Sequence, residues 1–141
     1  MPNGLKPIAL LFGLVLAASC FAQSGPKINA VKLPTLPVID GQLTEGEWDQ
    51  ASTGTGFIDP ATNKPTSDQT KVWIGYTDEA IYIAFHALDS DPSGIMAREL
   101  QPGTEMEGDD VVEFSIDPYS RLLDDTINWF VVNPLGTQYE Q

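Results

Sequence analysis

The sequence predicts an all-β chain, an antiparallel β-sandwich of jelly-roll type with one short helix near its N-terminal side. Three observations predict it. Apolar residues alternate with a period of two in successive runs from Lys71 onward, Gly, Pro and Asp turns separate those runs, and helical spacing is confined to one stretch. A length of 141 residues fits one domain. Residues 1–22 read as a targeting segment, 23–36 as a leader, and 37–141 as the sandwich.

Lys6 supplies a positive n-region, the apolar run from Ile8 to Ala18 follows, and small residues lead to Ala22, the pattern of a secretory signal peptide. The run is too short to span a bilayer. Cys20-Phe21-Ala22 places small residues at an ordinary cleavage site, while Ala17-Ala18-Ser19-Cys20 loosely resembles a lipoprotein box; the first is the better match, and lipidation of Cys20 is the alternative. The expectation is an exported protein: periplasmic, outer-membrane-associated or secreted. Cys20 is the only cysteine, so a chain cut after Ala22 has no thiol chemistry, disulfide or cysteine metal ligand.

After Ser24-Gly25-Pro26, the stretch VKLPTLPVIDG reads as an edge strand or leader, because Pro34 and Pro37 cannot pair in mid-sheet. Thr44 with Glu47 forms a capping box and Leu43 can staple onto Trp48, so Glu45 to Ala51 is expected to be helical and Trp48 to be core. A polar stretch follows, with one short strand at Phe57-Ile58. In KVWIGY, Val72, Ile74 and Tyr76 share a face. AIYIAFHAL then puts Ile81, Ile83, Phe85 and Ala87 on one face and Tyr82, Ala84, His86 and Leu88 on the other, a hairpin with both faces covered. Trp73 is surface or second-face core. Ile95 to Leu100 is a candidate short strand before the polar loop from Gln101 to Gly108. DVVEFSID alternates cleanly, with Val112, Phe114 and Ile116 opposite Val111, Glu113, Ser115 and Asp117. NWFVVN sets Phe130 and Val132 against Trp129, Val131 and Asn133. A strand opening at Thr137 has little room to finish before Gln141, and the reading expects an incomplete sandwich; the alternative is a last strand made from TQYEQ alone.

The formal charge of −13 repels phosphate backbones and anionic lipid, so nucleic acid is excluded as an expected partner. The one histidine, His86, has no nucleophile elbow beside it and is expected to be a half-core residue. Asp109 and Asp110 point to opposite faces of a strand, whereas glycoside hydrolysis needs two carboxyls across a cleft. The chain is therefore read as non-catalytic.

Two stretches together resemble the family 9 carbohydrate-binding modules: Val38-Ile39-Asp40-Gly41 with Leu43, Glu45 and Trp48, and Gly108-Asp109-Asp110-Val111-Val112-Glu113-Phe114 with Asp117. VWIGYTDEAIYIAF looks like the family's central hairpin. WFVVNPLG looks closest to a subgroup in which such a module precedes an outer-membrane β-barrel. The resemblance covers about Pro37 to Gln141. It implies a β-sandwich that binds sugar between two tryptophans with a Glu, an Arg and an Asn, an accessory to carbohydrate catabolism by a larger parent protein. Glu113 and Asn133 match that pattern; Glu107 stands where one tryptophan would, Val131 where the arginine would, and the second tryptophan would lie beyond Gln141.

Alternation alone places Glu113, Trp129 and Asn133 on one sheet face, where Trp129 either offers a stacking platform for a glycan or cell-wall saccharide or packs under a loop. The runner-up is a structural periplasmic domain, linked to the membrane through a parent β-barrel, that binds no free sugar. Asp89-Ser90-Asp91-Pro92-Ser93-Gly94 resembles the first half of a calcium loop, which makes Asp89 and Asp91 candidate ligands. The resemblance, in which structural calcium is common, points the same way; a simple Asx turn is the competing reading, and Asp109-Asp110 is a second candidate. Haem, through His86, Met96 or Met106, is the remaining cofactor considered.

Overall fold

A computed structural model of the chain describes residues 27–120 and 126–141. The targeting segment, with Lys6, Cys20 and Ala22, lies outside the described residues. The described part is all-β, in three sheets. Strands β1 (Val31–Lys32), β2 (Ser52–Gly54), β5 (Thr70–Tyr76) and β6 (Ile81–Ala87) form the first sheet; β3 (Ile58–Asp59) and β4 (Lys64–Pro65) form a small hairpin; β7 (Val112–Ile116), β8 (Asn128–Val132) and β9 (Gln138–Glu140) form the third.

The β5–β6 hairpin organises the first sheet because it carries its densest run of β-branched and aromatic residues. Its register pairs Val72 with Phe85, Trp73 with Ala84 and Ile74 with Ile83. Each face therefore keeps the residues that alternation assigned to it. On the far side of β5, β2 pairs antiparallel with Val72 to Ile74 and β1 pairs parallel with Gly75 and Tyr76. The Pro-punctuated segment thus contributes a strand before its first proline. Leu33 follows it, donating its N–H to the Tyr76 carbonyl at 2.8 Å, and is buried over Gly75. A Cβ at position 75 would lie 2.6 Å from the Leu33 side chain, so glycine is what lets the leader close on the sheet.

Three sequence expectations give way to local chemistry. The helix expected from Glu45 to Ala51 is a series of tight turns, in which Glu47, Asp49 and Ala51 each donate to the carbonyl three residues back. Gly46 sits at φ +84° and breaks the helical path at its second residue. Glu47 then satisfies the Val38 N–H instead of closing a capping box. Trp48 is nonetheless core, at 7% exposure, although Leu43 stays 40% exposed. Ile95 to Leu100 forms no strand. The Asp110 N–H donates to the Met96 carbonyl, the Met96 N–H is taken by the Asp110 carboxylate, and the Arg98 and Glu99 N–H groups are taken by the Asp109 carboxylate, so side-chain acceptors stand where a strand ladder would. His86 is exposed, not half-core. It pairs with Lys71 near the end of the hairpin, and Lys71 is exposed as well.

In the third sheet β7 pairs antiparallel with β8 and β8 with β9. TQYEQ does form a strand, tied to β8 at both ends: Trp129 and Gln141 exchange backbone bonds at 2.8 and 3.1 Å, and the Asn133 N–H donates to the Thr137 carbonyl at 3.2 Å. Phe114 and Phe130, directly paired across β7 and β8, stack with centroids 4.9 Å apart and planes 13° from parallel. Their face and the Ile81–Ile83 edge of β6 line a common open hollow of about 590 Å³. A second, of about 420 Å³, lies between Phe85 on β6 and Val112 and Val132 on the third sheet. The apolar faces of the two larger sheets therefore border shared space without filling it, and the strongly buried apolar side chains among the described residues are Leu33, Pro37 and Trp48. Among the described residues no helix is long and apolar enough to cross a membrane.

Candidate functional site

The outward face of the third sheet is set by strand alternation. Glu113 and Ser115 on β7, Trp129 and Val131 on β8 and Tyr139 on β9 share it, since Glu113 pairs with Val131, Ser115 with Trp129 and Val131 with Tyr139. Trp129, on the central strand, is 39% exposed. Ser115, directly opposite, is small enough to leave the indole open on that side. Glu113 and Tyr139 are its diagonal neighbours, roughly 7–8 Å away by strand geometry. Glu113 is exposed and, among the described residues, accepts no hydrogen bond and joins no ion pair. The sheet thus brings Glu113 and Trp129 together, as alternation required. Tyr139 joins them, a residue whose place could be read only once the register of β9 was known.

Asn133 does not join them. It follows β8 at 4% exposure, and its amide is fully engaged within the fold. Nδ2 donates to the Glu99 carbonyl and to Asp109 Oδ2, both at 2.9 Å. Oδ1 accepts from the N–H groups of Leu135 and Thr137, both at 3.0 Å. Thr137, also buried, adds its hydroxyl to the Glu99 carbonyl at 2.8 Å. An amide has two donors and two acceptor positions; none is left for a ligand. This corrects the expectation that Asn133 contacts sugar: it clamps the segment before β7 to the β8–β9 turn.

Asp109 is the centre of that clamp. Its carboxylate accepts from the Arg98 N–H at 2.9 and 3.0 Å, from the Glu99 N–H at 3.0 Å and from Asn133. These bonds, the Glu99 N–H first and the Asn133 amide next, hold its carboxyl below the ordinary value of 3.8, against a smaller opposing effect of desolvation. A carboxylate surrounded by N–H donors is a structural anchor and a poor cation ligand. The candidate calcium residues fare no better. Asp89 accepts from the Asp91 N–H at 2.7 Å and Asp91 from the Ser93 hydroxyl, an Asx turn running into a single 3₁₀ turn at Pro92–Gly94. Calcium takes six to eight oxygens, and among the described residues no group of three acidic, histidine or cysteine side chains gathers at one point. In this structure the Asp89 and Asp91 carboxylates are engaged in local turn bonds.

The other open tryptophan differs in one respect. Trp73, half-buried on the outer face of the first sheet, already carries a cation: Lys71 Nζ stands 4.5 Å from the ring centre. Thr53 and Ala84 flank it on the neighbouring strands.

Comparison of the chain with protein-family models, with curated proteins and with solved structures finds no match in any of the three.

Proposed function

We propose that the chain is an exported carbohydrate-binding module, non-catalytic itself, that positions a larger protein on a glycan or cell-wall saccharide. The observation that carries this reading is the open indole of Trp129 on the central strand of a sheet face, with Glu113 and Tyr139 diagonal to it. Sugars present apolar ring faces for stacking and hydroxyls for acceptors, and this face offers both. The non-catalytic part of the proposal rests on the sequence, in which the one histidine, His86, has no nucleophile elbow beside it. Export rests on the Lys6, Ile8 to Ala18 and Ala22 pattern, and the mass of the secreted form tests it: cleavage after Ala22 or a lipidated Cys20 supports export, while a retained Met1 segment contradicts it.

A glycan array followed by calorimetric titration of the responding saccharide tests the binding. The expected outcome is a response that Trp129→Ala removes while far-ultraviolet circular dichroism is unchanged. A second reading has an observation of its own: Leu36, Val38 and Ile39 are largely exposed in one short stretch, an apolar strip suited to protein contact. Under that reading the chain is a structural domain of an outer-membrane β-barrel protein. The absence of any saccharide response in wild type and Trp129→Ala alike selects it and sinks the first.

A further inference from the structure

We infer that the Trp129 face prefers saccharides carrying a free amino group, a 2-amino-2-deoxy sugar over its neutral or acidic counterparts; this rests on the saccharide-binding reading above and names its ligand class. Three independent features point the same way. Glu113 is an ionisable acceptor with no partner among the described residues, and it stands diagonal to the indole. A carboxylate only accepts, so it favours a ligand that brings protons and, of those, one that brings charge. A hydroxyl supplies a neutral hydrogen bond, an ammonium a charge-assisted one, and a uronate is repelled.

The indole itself discriminates in the same direction, because a cation over its face is attracted by the ring quadrupole. The molecule contains this contact in the Lys71–Trp73 pair, at 4.5 Å. There the protein's own ammonium occupies the ring. No cation of the described chain is seated on Trp129, so of the two open tryptophans it is the one a ligand ammonium can use. The third feature is long-range: 20 acidic against 7 basic residues give a net charge of −13, which raises the local concentration of a cationic sugar and lowers that of an anionic one. At physiological salt that field is screened beyond roughly 8 Å, so the local Glu113–Trp129 pair decides the preference.

The experiment is a calorimetric titration of the full chain with three tetramers: β-1,4-linked glucosamine, its N-acetylated form and the glucose equivalent. Acidic buffer keeps the amines protonated, and salt is set near physiological strength. An exposed ion pair and an exposed cation–π contact together predict roughly three- to thirtyfold tighter binding of the amino tetramer. Glu113→Gln should shrink that ratio severalfold while leaving the neutral tetramers bound, and Trp129→Ala should remove all three. Equal or tighter binding of the N-acetylated tetramer, or a preference that survives Glu113→Gln undiminished as diffuse attraction to an acidic protein would, overturns the inference and leaves the saccharide reading standing. If none of the tetramers gives a Trp129-dependent response but another saccharide does, the inference alone fails; if no saccharide does, both fail.

Discussion

Replacing Asn133 with alanine separates a ligand-contacting residue from a structural one, and the structure sets the size of the effect. The substitution removes four hydrogen bonds at once: two donated to the Glu99 carbonyl and Asp109, and two accepted from Leu135 and Thr137. Each bond contributes about 1 kcal/mol net, and a donor left buried and unpaired costs about 1–3 kcal/mol. Leu135 is exposed and its N–H can turn to water, whereas Thr137 is buried and its N–H cannot. The Glu99 carbonyl keeps the Thr137 hydroxyl, and Asp109 keeps its backbone donors. The loss should therefore come to about 2–4 kcal/mol, a large share of the ~5–15 kcal/mol that holds a domain together. Equilibrium urea unfolding reads it: with a slope of about 2 kcal/mol per molar, the midpoint should fall by roughly 1–2 M. Asn133→Asp should be no better, since it places a carboxylate oxygen against Asp109 where an N–H now lies. A midpoint within about 0.3 M of wild type, with saccharide binding lost, would refute the clamp and return Asn133 to the binding face.

Asp109 should make stability depend on acid. Because its native value is held below 3.8, its contribution is present above that pH and lost as the pH falls toward the native value; the melting temperature of wild type should drop more between pH 5 and pH 3 than that of Asp109→Asn, and parallel profiles would contradict this. Gly75→Val should displace Leu33 and loosen β1, costing about 1–3 kcal/mol by overpacking. The same substitution in a Leu33→Ala background should cost clearly less, and strict additivity in thermal or urea unfolding would argue against the contact. Lys32→Ala breaks an ion pair whose side chains are 55% and 83% exposed, so it should change stability by under about 0.5 kcal/mol in the same assay.

The strand pattern was readable wherever one face of a strand meets other strands and the opposite face meets water. β6, β7 and β8 fall within the alternating runs, as does β5 from Lys71 onward, and Glu113 and Trp129 share a face because parity alone demands it. What escaped was decided by single residues acting over long sequence distances. Gly46, with its positive φ, overrode a sound capping box. Asp109 took the N–H groups that a strand from Ile95 to Leu100 would have offered to a neighbour, and it lies ten residues or more away from them. Asn133 carried the parity of the Trp129 face yet belongs to a turn: an Asn followed by Pro-Leu-Gly is a signal for local backbone bonding, and that signal competes with alternation. Tyr139 needed the register of β9, which no periodicity over three residues can supply.

Under the proposed function, saccharide meets the Trp129 face and no other indole. The chain has three tryptophans, so a proton–nitrogen correlation spectrum offers three indole N–H probes, assigned through single Trp→Phe variants. Titrating in the saccharide selected by the array should shift the Trp129 signal progressively while buried Trp48 and Lys71-covered Trp73 stay in place. A shift confined to Trp73, or three unmoved signals at saturating saccharide, would contradict it.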